Sequence, residues 1–160
     1  MHKKVVDKVL FTIEEIEQIF TEFELFFEDM DYEEPDLTQI TVMASIVHSF
    51  YNGIEKIFEF IAKYIDKSVP HGLNSHKELL ENMKEKNENR CAVISEDTFE
   101  ILKEYMTFRH FYRHTYASIL KWSKFDTIAT DLKENWETIK SDILKFIDTL
   151  DVEEGTDENE

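Results

Sequence analysis

Apolar residues recur at three- and four-residue steps through most of this chain, which is the spacing of one face of an α-helix. The apolar stripe is clearest in three stretches, whose members are Val6, Leu10, Ile13, Ile16, Phe20, Phe23 and Phe27; Phe50, Ile54, Ile57, Phe58, Ile61 and Ile65; and Ile128, Leu132, Trp136, Ile139, Ile143, Ile147 and Leu150. Three glycines and two prolines in 160 residues leave few places for turns. The chain is therefore predicted to be all-α, an antiparallel bundle of four or five helices.

The first half of the chain is expected to form three of these helices. The first is predicted over about residues 5–30, and the second begins with Pro35 in its first turn and extends to about Asp66. Ser75 and Glu78 have the spacing of a capping box, so the third helix is expected to begin there and to fade around residues 86–89.

Two further helices complete the predicted bundle. One begins near Ser95, and the last begins near Ser123, where Asp126 follows three residues later. Residues 1–150 are expected to form a single helical domain. The strongly acidic residues 151–160 are expected to be a disordered tail.

Composition and patterning exclude several classes of protein. Cys91 is the lone cysteine, so neither a disulfide framework nor a thiolate metal site is expected. No apolar core of a signal peptide follows the N-terminal residues, and no apolar run reaches the roughly 18 residues that a membrane span needs. A cytoplasmic protein with no membrane association is therefore predicted.

Residues 109–116 have the most unusual local composition, with two arginines, two histidines and two tyrosines in eight positions. The whole chain has a formal net charge of −17, yet between Lys103 and Lys124 five cations accompany one carboxylate, Glu104, which gives this window a net charge of +4. Such a cationic island with histidines could hold and cut a polyanion such as RNA.

His114 and Arg109 are the candidate catalytic residues of this island. A histidine can take or give a proton near neutral pH, and RNA carries its own nucleophile in the 2′-hydroxyl. A guanidinium stays charged and can hold two phosphate oxygens at once. The alternatives are a surface histidine for His114 and an ordinary salt bridge for Arg109. His110 and Arg113 are expected to support contacts with RNA.

A metal is not expected in this island. His110 and His114 stand four residues apart, which is compatible with metal binding, but no Glu lies between them and no thiolate is near. No cofactor is predicted either, because the aromatic residues elsewhere in the chain are accounted for as core.

Arg109, His114 and Tyr116 form the pattern Arg-x4-His-x-Tyr, which resembles the motif of HepT-like ribonuclease toxins of the HEPN class. A second resemblance lies upstream, in the order found in HepT-like sequences. It comprises a Tyr-Asn-Gly-x-Glu helix at residues 51–55, a Pro-Gly turn at residues 70–72 and a His-x-x-Leu-Leu helix that begins at His76. The resemblance covers about half of the chain.

The resemblance implies a homodimeric HEPN-type helical bundle that acts as the toxin of a type VII-like toxin–antitoxin pair. Its partner would be a minimal nucleotidyltransferase (MNT) antitoxin, its substrate an RNA such as a tRNA or mRNA, and its activity a metal-independent endoribonuclease. Tyr116 would accept AMP from the antitoxin, and the added charge would repel RNA. This chain contains no nucleotidyltransferase motif of its own, so the modifying enzyme would be a separate protein.

Two other functions stay open at this stage. One is a non-catalytic HEPN-like module that binds a nucleotidyltransferase or a nucleic acid, and the other is an unrelated helical interaction protein. The overall charge opposes RNA binding, since a dimer would carry about −34 and long-range repulsion persists over a Debye length of about 8 Å. The acidic surface could equally serve as a docking face for the antitoxin.

A homodimer is also expected from the geometry of the motif. In a continuous helix, Arg109 and His114 would be about 140° apart around the axis, so one helix would not direct both at one point. Two copies that face each other across a two-fold axis could combine these residues in a shared site.

Overall fold

The computed structural model describes residues 2–116 and 120–157, the last seven as backbone only. It is all-helical within these ranges, as predicted, and five of its helices have ten or more residues. No helix in the described part of the chain combines the length and apolar character needed to cross a membrane.

The chain begins with α1 (His2–Glu22) and the short α2 (Glu24–Asp29). The single helix predicted over residues 5–30 is therefore wrong in one detail. It is interrupted at Phe23, where ψ is 17°. The break turns the chain so that Phe27 is buried, with its ring stacked 5.9 Å from that of Phe20.

The central helix, α3 (Leu37–Ile61), continues through a π-helical turn over Ala62–Asp66, as far as the sequence predicted. Its start differs from the prediction, because Pro35 precedes the cap and does not lie in the first turn. Asp36 caps the helix by accepting a hydrogen bond from the Gln39 backbone N–H at 2.8 Å, and the Gln39 side chain accepts one from the Asp36 N–H.

The third predicted helix is α4 (Ser75–Lys84). The expected capping box at Ser75 is wrong, because Asn74 occupies the cap position and no side chain caps this helix end. The helix also ends before the polar run at residues 86–89. The backbone there forms a turn in which the main chains of Asn87 and Arg90 hydrogen-bond to each other.

The remaining helices are α5 (Glu96–Arg113), α6 (Asp126–Thr130) and α7 (Leu132–Asp157), with a 3₁₀ turn at Trp122–Lys124. The last helix was predicted to run on from Ser123. It is interrupted at Asp131, whose φ and ψ of −91° and 11° leave the helical region. The backbone of α7 enters the predicted acidic tail, but the disorder predicted for residues 151–160 stays a prediction, and residues 158–160 lie outside the described range.

Two pairs of neighbouring long helices, α1 with α3 and α4 with α5, run in opposite directions, as predicted. The neighbours α3 and α4 run in the same direction, because Glu55 contacts His76 early in α4 while Asp66, just after α3, contacts Asn87 just after α4. The prediction of an antiparallel bundle is therefore only partly correct. Contacts between α1 and α3 pair early residues of one with late residues of the other, as in Lys8 with Phe60 and Glu15 with Lys56. The same holds for α4 and α5, where Lys84 lies over Phe99 while His76 and His110 line one cavity. The apolar stripes of α1, α3, α5 and α7 meet in one core, with α3 at its centre.

Close approach of α1 and α3 explains the glycine inside the central helix. A Cβ atom at Gly53 would lie 2.6 Å from Cγ1 of Ile16 and 3.0 Å from its Cδ1. The first distance is shorter than any ordinary van der Waals contact, so a larger residue would force the Ile16 side chain or the helix spacing to shift. Crossing-helix packing was the interpretation of Gly53 from sequence, and it is confirmed.

Gly53→Ala is therefore expected to destabilise the fold. Overpacking costs about 1–3 kcal/mol, against a gain of up to about 1 kcal/mol from the better helix propensity of alanine. Chemical denaturation would measure the free energy of unfolding. In an Ile16→Ala background, where both clashing atoms are removed, the same change is expected to be neutral or stabilising; equal destabilisation in the two backgrounds would contradict the packing explanation.

Candidate active site

Helix α5 carries the cationic island at its C-terminal end. The helix begins where the Ser95 hydroxyl accepts a hydrogen bond from the Thr98 N–H, and it ends at Arg113. His114 is the capping residue, with φ −111° and ψ 13°, and its N–H donates to carbonyl oxygens of the preceding turn. His114 still lies one turn beyond His110, with ring centroids 4.7 Å apart, so it stays exposed while Arg109 is directed into the bundle, as the predicted angular separation requires.

Arg109 points into the bundle toward α3. Its Nε lies 3.3 Å from Oε1 of Glu55 and 3.4 Å from Oδ1 of Asn52. The Arg109 side chain is only 11% exposed, and the carboxylate of Glu55 is buried. A buried carboxylate needs such a cation, because an unpaired charge in the interior is strongly unfavourable. Arg109 thus forms the salt bridge that was the alternative to a catalytic role.

The ion pair belongs to a larger polar network that joins three helices. Oε2 of Glu55 lies 2.7 Å from Nδ1 of His76 on α4, and Nδ2 of Asn52 lies 3.4 Å from Nδ1 of His48 one turn earlier on α3. We call His48, Asn52, Glu55, His76 and Arg109 the Arg109 network. It places a histidine at each end of a chain of contacts that runs through the motif arginine.

His48 is held as a neutral ring. Burial lowers its pKa below the ordinary value, and the positive charges of Arg109 and Arg113 lower it further. Because Asn52 accepts from Arg109 through Oδ1, its amide nitrogen donates to Nδ1 of His48, which puts the ring proton on Nε2. Its ring centroid lies 4.6 Å from that of Tyr112, so the ring is also fixed by packing.

Two buried polar atoms adjoin this network without a hydrogen-bond partner among the described residues: Nε2 of His48 and the hydroxyl of Tyr51. Burial raises the pKa of Tyr51, and the neighbouring carboxylate of Glu55 raises it further, so the phenol stays neutral. An unsatisfied buried group typically costs about 1–3 kcal/mol. Buried groups of this kind call for an explanation, such as a bound water or ligand or a catalytic role.

A cavity of about 320 Å³ opens between α4 and α5 beside the network. It is lined by Leu73, Asn74, His76, Lys77, Met106, Thr107, Arg109 and His110. Its wall thus combines two fixed cations and two histidines with apolar surface. Its volume lies at the lower end of the range of about 300–1,000 Å³ that is usual for small-molecule sites.

The structure brings part of the sequence-predicted site together at this cavity. Arg109 and His110 line it, and His114 lies beside His110, with ring centroids 4.7 Å apart, but does not itself line the cavity. Arg113 and Tyr116 are exposed and do not line the cavity. In the described ranges, no group of three or more His, Cys, Asp or Glu side chains is arranged to hold a metal ion.

Sequence reasoning missed the roles of the α3 and α4 residues in the Arg109 network. Glu55 carried the clearest signal, because it lies one helical turn from Tyr51 and from Phe58, on a face of α3 that is otherwise buried and apolar. A carboxylate on such a face requires a partner. The sequence does not say which cation supplies it, since the partner lies on another helix.

Comparison with known proteins yields a match to a protein family. A family model described as "HepT-like protein" matches residues 42–150, about two thirds of the chain. The matched range contains the whole Arg109 network, both candidate catalytic residues and Tyr116. No curated protein and no solved structure matches the chain significantly.

Proposed function

Since this chain belongs to the HepT-like protein family, we propose that it is a metal-independent endoribonuclease, the toxin of a pair whose antitoxin is a nucleotidyltransferase. The observation that carries the proposal is a cationic cavity lined by Arg109 and His110, with His114 beside His110, in an otherwise acidic chain. Local positive charge attracts a phosphate, and a histidine beside the cavity supplies proton transfer.

The proposed reaction uses only groups that RNA and this chain provide. His114 takes the proton of the 2′-hydroxyl while the 2′-oxygen attacks the adjacent phosphorus. Arg109 stabilises the charge on the non-bridging oxygens, and its contacts with Glu55 and Asn52 hold the guanidinium in one orientation. The bond from phosphorus to the 5′-oxygen breaks, which yields a 2′,3′-cyclic phosphate and a 5′-hydroxyl.

Cleavage of RNA in the presence of EDTA tests this proposal. We expect the purified protein to cut single-stranded RNA at the same rate with and without the chelator, because no step needs a metal ion. The cyclic phosphate would be identified by mass spectrometry of the products. Cleavage that disappears in EDTA and returns with a divalent ion would contradict the metal-free reaction.

We further propose that the nucleotidyltransferase silences the protein by transferring AMP to Tyr116. The side chain of Tyr116 is 79% exposed, whereas the other five tyrosines are buried or half-buried. An enzyme can therefore reach the Tyr116 hydroxyl without unfolding the bundle. The added phosphodiester would place a negative charge two residues from His114 and would repel RNA.

Tyr116→Phe is expected to keep ribonuclease activity and to resist silencing, because the ring stays and the acceptor hydroxyl is lost. Intact-mass spectrometry after incubation with the nucleotidyltransferase and ATP would report AMP additions. Tyr112→Phe provides the matched control and should still be modified. AMP on Tyr116→Phe to the wild-type extent would show that another residue is the acceptor.

A homodimer is proposed as the working form of this ribonuclease. The cavity opens to solvent, and Leu73 at its rim is a large apolar side chain left fully exposed. A symmetric contact across this rim would cover Leu73, place two sites side by side and leave Tyr116 accessible. Light scattering at micromolar concentration should give twice the 19.1 kDa mass of the chain; a monomer would contradict this arrangement.

The second candidate function is a non-catalytic HEPN-like module that binds a nucleotidyltransferase or a nucleic acid. It is favoured by the burial of Arg109, whose Nε is already engaged by Glu55 and Asn52. The RNA assay separates the two functions. Binding of RNA or of the nucleotidyltransferase without any cleavage would favour the module.

A further inference from the structure

His76 holds an unusual position in the Arg109 network. Its Nδ1 lies 2.7 Å from Oε2 of Glu55, the shortest contact of the network. The two oxygens of this buried carboxylate thus face different donors, Arg109 on one side and His76 on the other. An ionised carboxylate only accepts hydrogen bonds, so Nδ1 of His76 carries the hydrogen.

This contact leaves Nε2 as the nitrogen of His76 that can exchange a proton with a ligand. The same imidazole lines the cavity with Arg109 and His110. A carboxylate that holds one ring nitrogen of a histidine fixes its tautomer and its orientation, which is a recurring arrangement for proton transfer. Glu55 is thereby the positioning residue for both the cation and this imidazole.

Exposure distinguishes His76 from a purely structural partner of Glu55. The His76 side chain is 42% exposed although it bonds to a buried carboxylate. Arg90, the structural cation that binds Asp66 in this same bundle, is 1% exposed and is enclosed by the groups it bonds. A histidine whose only role was to pair with Glu55 would not need to be exposed to the cationic cavity.

We infer that His76 is the second proton-transfer group of the site and protonates the leaving 5′-oxygen. This role rests on the proposed ribonuclease function. In the reacting state His76 is an imidazolium, with one hydrogen on Nδ1 toward Glu55 and one on Nε2 toward the cavity. As His114 takes the proton from the 2′-hydroxyl, the electron pair of the bond between phosphorus and the 5′-oxygen moves to that oxygen, which takes the Nε2 proton and leaves His76 neutral. Exchange with water then returns the proton to His76 and removes the one on His114.

A substrate with an activated leaving group tests this role. In RNA whose scissile 5′-oxygen is replaced by sulfur, the departing thiolate needs no proton. We expect His76→Gln to cleave ordinary RNA about 10²–10⁴-fold more slowly than wild type, and to cleave the sulfur-substituted RNA within about tenfold of wild type. His114→Ala should be slow on both substrates, because it lacks the group that activates the nucleophile.

Two variants guard against an effect on folding alone. Glutamine at position 76 keeps an N–H that can donate to Glu55, so the buried carboxylate retains a partner. His71→Ala removes an exposed histidine from the loop before α4, where its ring bonds the Val69 carbonyl in the same loop, and it should cleave both substrates like wild type.

The outcomes separate this role from the ribonuclease function itself. If His76→Gln loses the same factor on both substrates, or loses nothing on ordinary RNA, His76 does not protonate the leaving group although the protein is a ribonuclease. If wild-type protein cleaves neither substrate, the proposed function is wrong and the role falls with it. Rescue confined to the sulfur-substituted RNA establishes the role.

Discussion

His114→Ala is expected to lower the rate of RNA cleavage by about 10²–10⁴-fold, the usual contribution of a general base. The fold should be almost unaffected, because His114 is exposed and caps α5 through its backbone N–H, which alanine keeps. Substitutions at such positions usually change the free energy of unfolding by less than about 0.5 kcal/mol. Rates of cleavage and denaturation curves on the same preparation would check both parts.

His110→Ala is the matched control for this experiment. The two histidines are exposed neighbours in the same island, with rings 4.7 Å apart, but only His114 belongs to the Arg-x4-His-x-Tyr pattern. We expect His110→Ala to weaken RNA binding and to keep most of the cleavage rate. If His110→Ala is inactive and His114→Ala is active, the general base is His110, one helical turn before His114.

Arg109→Ala should behave differently from His114→Ala, and the difference is informative. It removes the cation nearest the buried carboxylate of Glu55, so it is expected to cost stability as well as activity. Loss of cleavage in Arg109→Ala alone therefore cannot distinguish catalysis from folding. Pairing it with Glu55→Gln, which removes the buried charge, should recover stability, while cleavage should stay below that of Glu55→Gln alone, which lacks only the carboxylate that positions His76.

Much of the fold was predictable because helical periodicity is a local property of sequence. The stripe from Phe50 to Ile65 located α3 and its π-helical end, and Ser95 marked the start of α5. Interruptions were not predictable, because the apolar spacing continues through them. At Phe23 and Asp131 the backbone leaves the helical region. Such breaks depend on how the helices pack in the assembled core, and tertiary packing overrides local helix propensity.

The candidate site was likewise predictable only where its residues are close together in sequence. Arg109, His110 and His114 are close in sequence, so a local pattern is enough to single them out. Glu55 and His76 are 21 residues apart and meet on different helices, with Arg109 a further helix away. Their contacts depend on how α3, α4 and α5 pack, and a buried carboxylate in an apolar helix face was the one local sign that a partner must exist.

Arg90→Ala is expected to lower the free energy of unfolding by about 3–5 kcal/mol, because it removes one member of a buried ion pair. Arg90 Nε and Nη2 bond the two carboxylate oxygens of Asp66 at 2.7 and 2.9 Å, and Nη1 and Nη2 also donate to main-chain carbonyl oxygens. A lost guanidinium therefore leaves a carboxylate and several carbonyl groups without their donor.

Arg90 lies in a polar run that sequence reasoning treated only as the end of a helix, yet it joins the end of α3 to the connection between α4 and α5. Those three helices also carry the Arg109 network, so the bonds of Arg90 help to fix the spacing at which Glu55, His76 and Arg109 meet. Loss of Arg90 is thus expected to weaken cleavage as well, in proportion to the fraction of protein that unfolds.

Thermal denaturation would measure the effect of Arg90→Ala, at about 2–4 °C in Tm for each kcal/mol in a chain of this size. Arg113→Ala is the matched control, because that arginine is exposed, and its Tm should stay near the wild-type value. In an Asp66→Ala background, Arg90→Ala should cost clearly less, since the charge it neutralises is gone. An unchanged cost there would mean that the carbonyl contacts, and not the ion pair, account for the stability that Arg90 provides.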